Sequence, residues 1–164
     1  MNIYVASKFT NAEAVRAAIG KLLYAGHRIT FDWTVCSDAE LRAKVEQLKA
    51  AYDATAVGKD GAEALTPFEE AQAALEDFWH WCAQKDVQGV HDAEVFVLLP
   101  IVGMKGAWME LGIALSRWTV QEAAQRPKIR IFIVGEIQDT VFVHHEAIER
   151  ASSIEDVIKA LQPA

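Results

Sequence analysis

The chain has 164 residues, long enough for one domain with a real core, and its 52% hydrophobic and 24% charged residues are an ordinary globular balance. A formal net charge of -7 argues against a nucleic-acid or anionic-membrane surface and favours a small soluble partner. Cys36 and Cys82 form no C-x-x-C pair, "MNIYVASKF" lacks the make-up of a signal peptide, and no apolar run approaches the roughly 18 residues that span a bilayer; the expectation is a cytoplasmic domain over 1–164.

In chain order, "NIYVA" (2–6) reads as a short buried strand. Thr10 or Asn11 is placed to cap a helix over 11–25, whose Ala14, Val15, Ala18, Leu22 and Tyr24 form one apolar face and which Gly26 ends. "HRITFDW" (27–33) is a second strand. Residues 38–53 have weak helical amphipathicity, and 54–67 read as a loop, so that 34–67 has the character of an insertion. A helix over 68–88, a strand over 94–99, a helix over 107–122 and a strand over 128–135 follow. "TVFVHH" (140–145) is a short extended piece, and the last helix opens with Ser153 and Asp156 in capping-box spacing. Alternating strands and helices predict an α/β fold, a flavodoxin-like or Rossmann-like three-layer sandwich with a mostly parallel five-stranded sheet whose strands 2–6, 27–32, 94–99 and 128–134 are central.

Ligands of such sheets bind beyond the carboxyl ends of the strands. Ser7, Lys8 and Phe9 follow the first strand, Trp33 ends the second, and Gly103, Met104, Lys105 and Gly106 follow the third. These are the candidate substrate-binding residues. Glu110, in "GAWMELGIAL", stands near the mouth of the helix leaving this region. It is either a charge stabilised by the helix dipole or a nucleophile. Asp86 is a second candidate. On a helix over 68–88, at 100° per residue, Ala71, Leu75, Phe78, Trp79, Cys82 and Gly89 gather on one face, and Asp86 falls within that stripe, away from Asp77, His80 and Gln84. A carboxylate there must be paired, hydrogen-bonded or open on a polar cavity, unless the helix has already left the core. The five histidines show no H-x-x-x-H or H-E-x-x-H spacing, and no G-x-G-x-x-G or P-loop motif is present, so neither metal nor cofactor is expected.

The span "KDVQGVHDAEVFVLLPIVGMKGAWMELGIALS" (85–116) resembles the signature of the nucleoside 2-deoxyribosyltransferase family, whose relatives include 2'-deoxynucleoside 5'-monophosphate N-glycosidases. The matching positions are Asp86, Glu94, Gly106, Glu110, Leu111, Gly112 and Ala114, and "IYVAS" is similar to the family's first strand, which places Tyr4 near the nucleophile. The resemblance implies that Glu110 is the nucleophile, with Asp86 and Tyr4 as its catalytic partners, and that the protein is a homo-oligomer acting on a nucleoside or nucleotide. It departs from the family six residues before the nucleophile. Met104 replaces the aspartate of the transferases and the serine of the monophosphate glycosidases, which leaves the substrate's 5' group open. Lys105, Ser7 and Lys8 are either a phosphate site or solvated loop groups, and Trp33 either stacks on a base or packs in the core.

In this reading an oxocarbenium-like transition state is trapped by an ionised Glu110, whose charge the helix N-terminus favours, while Asp86 positions the sugar or assists the departing base and Tyr4 holds the glutamate. Hydrolysis and transfer are both open to such a residue set. Two other readings remain. One is a TIR-like NAD glycohydrolase, since "VFVHHEAIERASSIEDVIKAL" (141–161) resembles the tail of some TIR-like proteins; the other is a non-catalytic nucleotide-binding module. Asp86 raises a geometric difficulty. A helix entering a parallel strand ends at the strand's amino end, whereas Glu110 follows a carboxyl end, so a shared site calls for an oblique helix or a neighbouring subunit.

Overall fold

Short apolar runs build the sheet, and the computed structural model describes residues 1–36, 38–55, 67–136 and 141–162 of the chain. In chain order they form β1 (Asn2–Ala6), α1 (Ala12–Tyr24), β2 (Arg28–Ile29), α2 (Ala39–Thr55), α3 (Pro67–Asp92), β3 (Val95–Leu98), α4 (Gly106–Ala123), β4 (Arg130–Val134), β5 (Ile148–Ala151) and α5 (Ile154–Ala160). The predicted loop over 54–67 falls largely outside the described residues.

All five strands are parallel, in the order β2-β1-β3-β4-β5. The fold is thus a flavodoxin-like α/β sandwich. Every residue of β3, and β1 from Ile3 onward, is fully buried, as a strand covered on both faces must be. Right-handed crossovers place α1, which leads away to β2, and α4, which leads the other way to β4, on opposite faces. The chain switches direction between β1 and β3, and the crevice beyond that point is the natural ligand site of such a sheet.

The chain divides into two units, Met1–Thr34 with Lys85–Ala164, and Val35–Gln84. The first holds the whole sheet. The second begins at Val35 and ends within α3 at Gln84. It is tied by Asp38, which accepts hydrogen bonds from Trp79 Nε1 at 2.8 Å and Arg42 Nε at 2.7 Å, while the Arg42 guanidinium lies 4.9 Å from the centre of the Trp79 ring.

Several elements differ from the sequence expectation. The second strand is two residues long and lies at the sheet edge rather than centrally. Asp32 ends it early: its Oδ1 accepts from Thr34 N at 3.0 Å and from Thr34 Oγ1 at 2.6 Å, a local turn that competes with further pairing. The apolar "VFVH" (141–144) is a 3-10 turn, and the fifth strand is the more polar "IERA" (148–151). An edge strand needs no apolar run, and here Glu149 accepts two hydrogen bonds from the neighbouring Arg130, at 2.8 and 2.5 Å. The N-cap Asn11 makes no side-chain cap; its amide donates to Ser7 Oγ instead. At the last helix the expected cap is present, with Ser153 Oγ accepting from Asp156 N at 3.2 Å.

α3 also runs on to Asp92, through Gly89. The glycine does not stop the helix; it lets the helix approach the sheet. A Cβ at Gly89 would stand 2.9 Å from Phe31 Cβ and 2.9 Å from Tyr4 Cδ2. The exposed Gly112 of α4 has nothing within 4 Å of the same position. Two glycine-to-alanine changes in helices therefore take opposite signs. G112A gains about 0.5–1 kcal/mol from backbone entropy. G89A makes the same gain but meets an overpacking cost of ~1–3 kcal/mol, so it is destabilising overall. Urea unfolding midpoints check both signs, and a stabilised G89A contradicts the close approach.

Candidate active site

Tyr4 sits in the middle of β1 with its ring stacked at 6.0 Å and 12° on Phe96, its registered neighbour on β3. The residue is fully buried, so its hydroxyl needs a partner within the protein. That partner is Asp86, whose Oδ1 accepts the phenolic hydrogen bond at 2.8 Å. α3 runs antiparallel to the strands and ends at Asp92. Asp86 lies six residues earlier, ~9 Å back toward the carboxyl end of the sheet at the rise of an α-helix. Gly89 rests on the Tyr4 ring, and Asp86, one turn before it, reaches the hydroxyl. The directional difficulty is thereby removed: neither an oblique helix nor a neighbouring subunit is needed, because Asp86 is not at the helix end.

The stripe that pointed to Asp86 is present along α3. Ala71, Leu75 and Gly89 are buried, and Phe78, Cys82 and Asp86 are half-buried; Trp79, expected on the same face, is 42% exposed.

Glu110 projects from α4 toward the same place, flanked by the buried Ala107, Leu111 and Ala114. It is the fifth residue of the helix and not part of the first turn, which contains no acidic residue. Its Oε2 is buried and has no hydrogen-bond partner. Burial first, and then the charge of Asp86, push its carboxyl up to about 8, against a smaller opposing effect of the Tyr4 hydroxyl. This reverses the expectation that the helix terminus keeps Glu110 ionised. The dipole offers about 0.3–1 kcal/mol and fades beyond the first turn. Each pKa unit is about 1.4 kcal/mol, so the effect of burial is several times larger. Asp86 is also raised by burial, and the Tyr4 hydrogen bond counters it. Tyr4 itself is raised by burial and by both carboxylates, so it stays a neutral donor. Near neutral pH the resting site therefore favours a proton on Glu110.

The loops of the switch point meet above this cluster. Ser7 Oγ donates to Leu99 O at 2.7 Å and accepts from Asn11 Nδ2 at 2.9 Å, joining the ends of β1 and β3. Its proton is committed to that bridge. Lys8 Nζ stands 3.4 Å from where a Cβ would project from Gly103, whose φ of +76° makes the turn. Lys105 and Gly106 are exposed where α4 begins, whereas Met104 is buried in the core. Trp33 belongs to the core as well, its Nε1 donating to Val5 O at 2.8 Å, so it packs there and does not present itself to a base. Phe9 is 59% exposed, its ring centre 6.1 Å from that of Trp33. Glu94 lies at the opposite, amino end of the sheet, where its Oε2 accepts from Asn2 N at 2.7 Å.

Arg117 escaped the sequence reading. Its Nη1 donates to Val90 O at 2.5 Å and to Ala93 O at 2.8 Å, joining α4 to the end of α3. The available signal was its place seven residues after Glu110, on the same helical stripe as Glu110 and the buried Ala114. Among the described residues no group of three histidine, cysteine or acidic side chains could hold a metal ion, and no helix is long and apolar enough to cross a membrane.

Fold and site together define a flavodoxin-like protein with a buried tyrosine and two carboxyl groups near the switch point of its sheet. No family model matches the chain, and no similar curated protein or solved structure was found.

The buried proton links this site to stability. Glu110 titrates higher in the folded protein than in the unfolded chain, so the stability it contributes is complete below its ordinary value of 4.5 and is lost as pH rises through about 8. E110Q keeps a neutral side chain of the same shape. Its stability, followed by melting temperature, is expected to lie close to the parent near pH 5 and to exceed it near pH 9 by several kcal/mol, at about 1.4 kcal/mol per pH unit of the shift. An increment that does not change with pH would show that Glu110 is not buried as a neutral acid.

Proposed function

We propose that this protein cleaves the N-glycosidic bond of a nucleoside or nucleotide, as a hydrolase or a transferase, with Glu110 as nucleophile. One observation carries the reading. Glu110 Oε2 is buried without a partner beside Asp86, which the Tyr4 hydroxyl already holds. An unmade hydrogen bond in a buried site costs about 1–3 kcal/mol, and a site that receives a ligand at that atom accounts for it.

In the proposed reaction the Glu110 carboxylate attacks the anomeric carbon as the C–N bond breaks. The bonding electron pair leaves with the base, which takes up a proton from water, and the sugar remains esterified to Glu110. Water or a second base then displaces the carboxylate from the opposite face. Asp86, fixed by Tyr4, positions the sugar, and Tyr4 is the neutral donor that keeps Asp86 charged and aimed. The carboxylate and not the acid is the nucleophile, so only the ionised fraction of Glu110 is active. All three side chains come from one chain. The small soluble substrate of this reading suits a cytoplasmic protein.

Incubation with a panel of nucleosides, deoxynucleosides, their 5'-monophosphates and NAD, followed by chromatography for free base, tests the proposal. Base release is expected from a member of the nucleoside or nucleotide set. It should vanish in E110Q, and kcat/KM should rise about tenfold per pH unit before levelling above about 8, where free Glu110 is ionised. Undiminished turnover by E110Q, or intact substrates throughout, would overturn the reading. Release of nicotinamide alone would assign the site to NAD.

A further inference from the structure

Among the described residues, the hydrogen bonds of the Arg117 guanidinium go to backbone carbonyls. One nitrogen, Nη1, donates to two carbonyl groups at the end of α3, those of Val90 and Ala93. The last carbonyls of a helix have no partner within it, so a buried helix end requires such a donor. The same α3 carries Asp86 one turn before Val90, and the α4 that carries Arg117 also carries Glu110 two turns earlier. The two carboxyl groups thus stand on two helices joined at this contact. On its other side α3 is seated on the sheet through Gly89, which touches Tyr4 and Phe31. Seating on the sheet sets the height of Asp86 above Tyr4, and it leaves the distance between α3 and α4 to be fixed by something else.

We infer that Arg117 is a positioning residue of the site: by holding the end of α3 against α4 it sets the separation of Asp86 from Glu110 and keeps water away from the Glu110 carboxyl. Its own charge is not the agent. The groups that govern Glu110's ionisation are its burial, Asp86 and Tyr4, and Arg117 is not among them. The charge near Arg117 is Asp92, at the end of α3. Arg117 acts on Glu110 through the placement of helices, and the inference deepens the proposed reaction without needing its substrate.

The test reads Glu110 directly. In protein labelled with carboxyl-13C glutamate, the Glu110 signal is identified by its loss in E110Q, and its titration midpoint is followed by infrared or NMR spectroscopy. R117M removes both hydrogen bonds and the charge. R117K keeps an ammonium able to donate to both carbonyls from a single nitrogen, as Nη1 does. The midpoint is expected to fall from about 8 toward the ordinary carboxyl range by about one pH unit or more in R117M, and to stay near the parent value in R117K. With a substrate in hand, kcat/KM of R117M should drop by about 10–100-fold, the usual effect of displacing a catalytic group by an ångström. A folded R117M in which Glu110 titrates as in the parent would overturn the inference. Should R117M fail to fold, R117A, which also removes both donors, is read for the same two outcomes. If the protein releases no base from any substrate, the proposed reaction fails, but the titration of Glu110 still decides the role of Arg117.

Discussion

The hydrogen bond from Tyr4 to Asp86 joins residues 82 positions apart, and most of what is distinctive in this molecule depends on it. A phenol in the middle of a fully buried strand cannot leave its hydroxyl unsatisfied, and a carboxylate on the inner face of a helix cannot leave its charge unpaired. Each solves the other's problem, provided the helix comes close. Gly89 permits that approach, because any larger residue would meet the Tyr4 ring. One missing side chain on α3 therefore allows the pair that anchors the site.

Glu110 Oε2 has no comparable partner, although the Tyr4 hydroxyl also acts on the Glu110 carboxyl and lowers its pKa. The carboxyl is raised by burial first and then by the charge of the neighbouring Asp86. Two carboxyl groups that share one low-dielectric space do not both ionise readily, and burial, the largest influence on Glu110, favours the proton there. The arrangement is unfavourable for stability and apt for chemistry. It differs from a structural ion pair, such as Arg130 with Glu149, where every acceptor is matched by a donor.

The chain switches direction between β1 and β3 beside the cluster. Ser7 stitches the two strand ends together, and Gly103 turns the chain beside Lys8. Trp33 and Met104, both plausible ligand contacts when read one residue at a time, are part of the packing that supports these loops. An aromatic or thioether side chain serves a core and a binding surface equally well, so residue type does not discriminate between them.

The sequence by itself determined the parallel α/β class, through buried apolar runs separated by helical periodicity, and it marked Asp86, because a charge on an apolar stripe is visible without coordinates. It marked Glu110 by position after a strand and by motif. It did not determine the edges of the sheet, since an edge strand is held by backbone pairing and a cross-strand ion pair and shows no apolar run; β5 went unread for that reason. The ionisation of Glu110 was decided by tertiary structure alone. Local position argued for a charged side chain near a helix start, but burial and the neighbouring carboxylate come from residues distant in sequence and outweigh the dipole. Arg117 likewise looked like any helix-surface cation, because the two carbonyls that it holds lie 27 and 24 residues before it and become its neighbours only when the two helices pack.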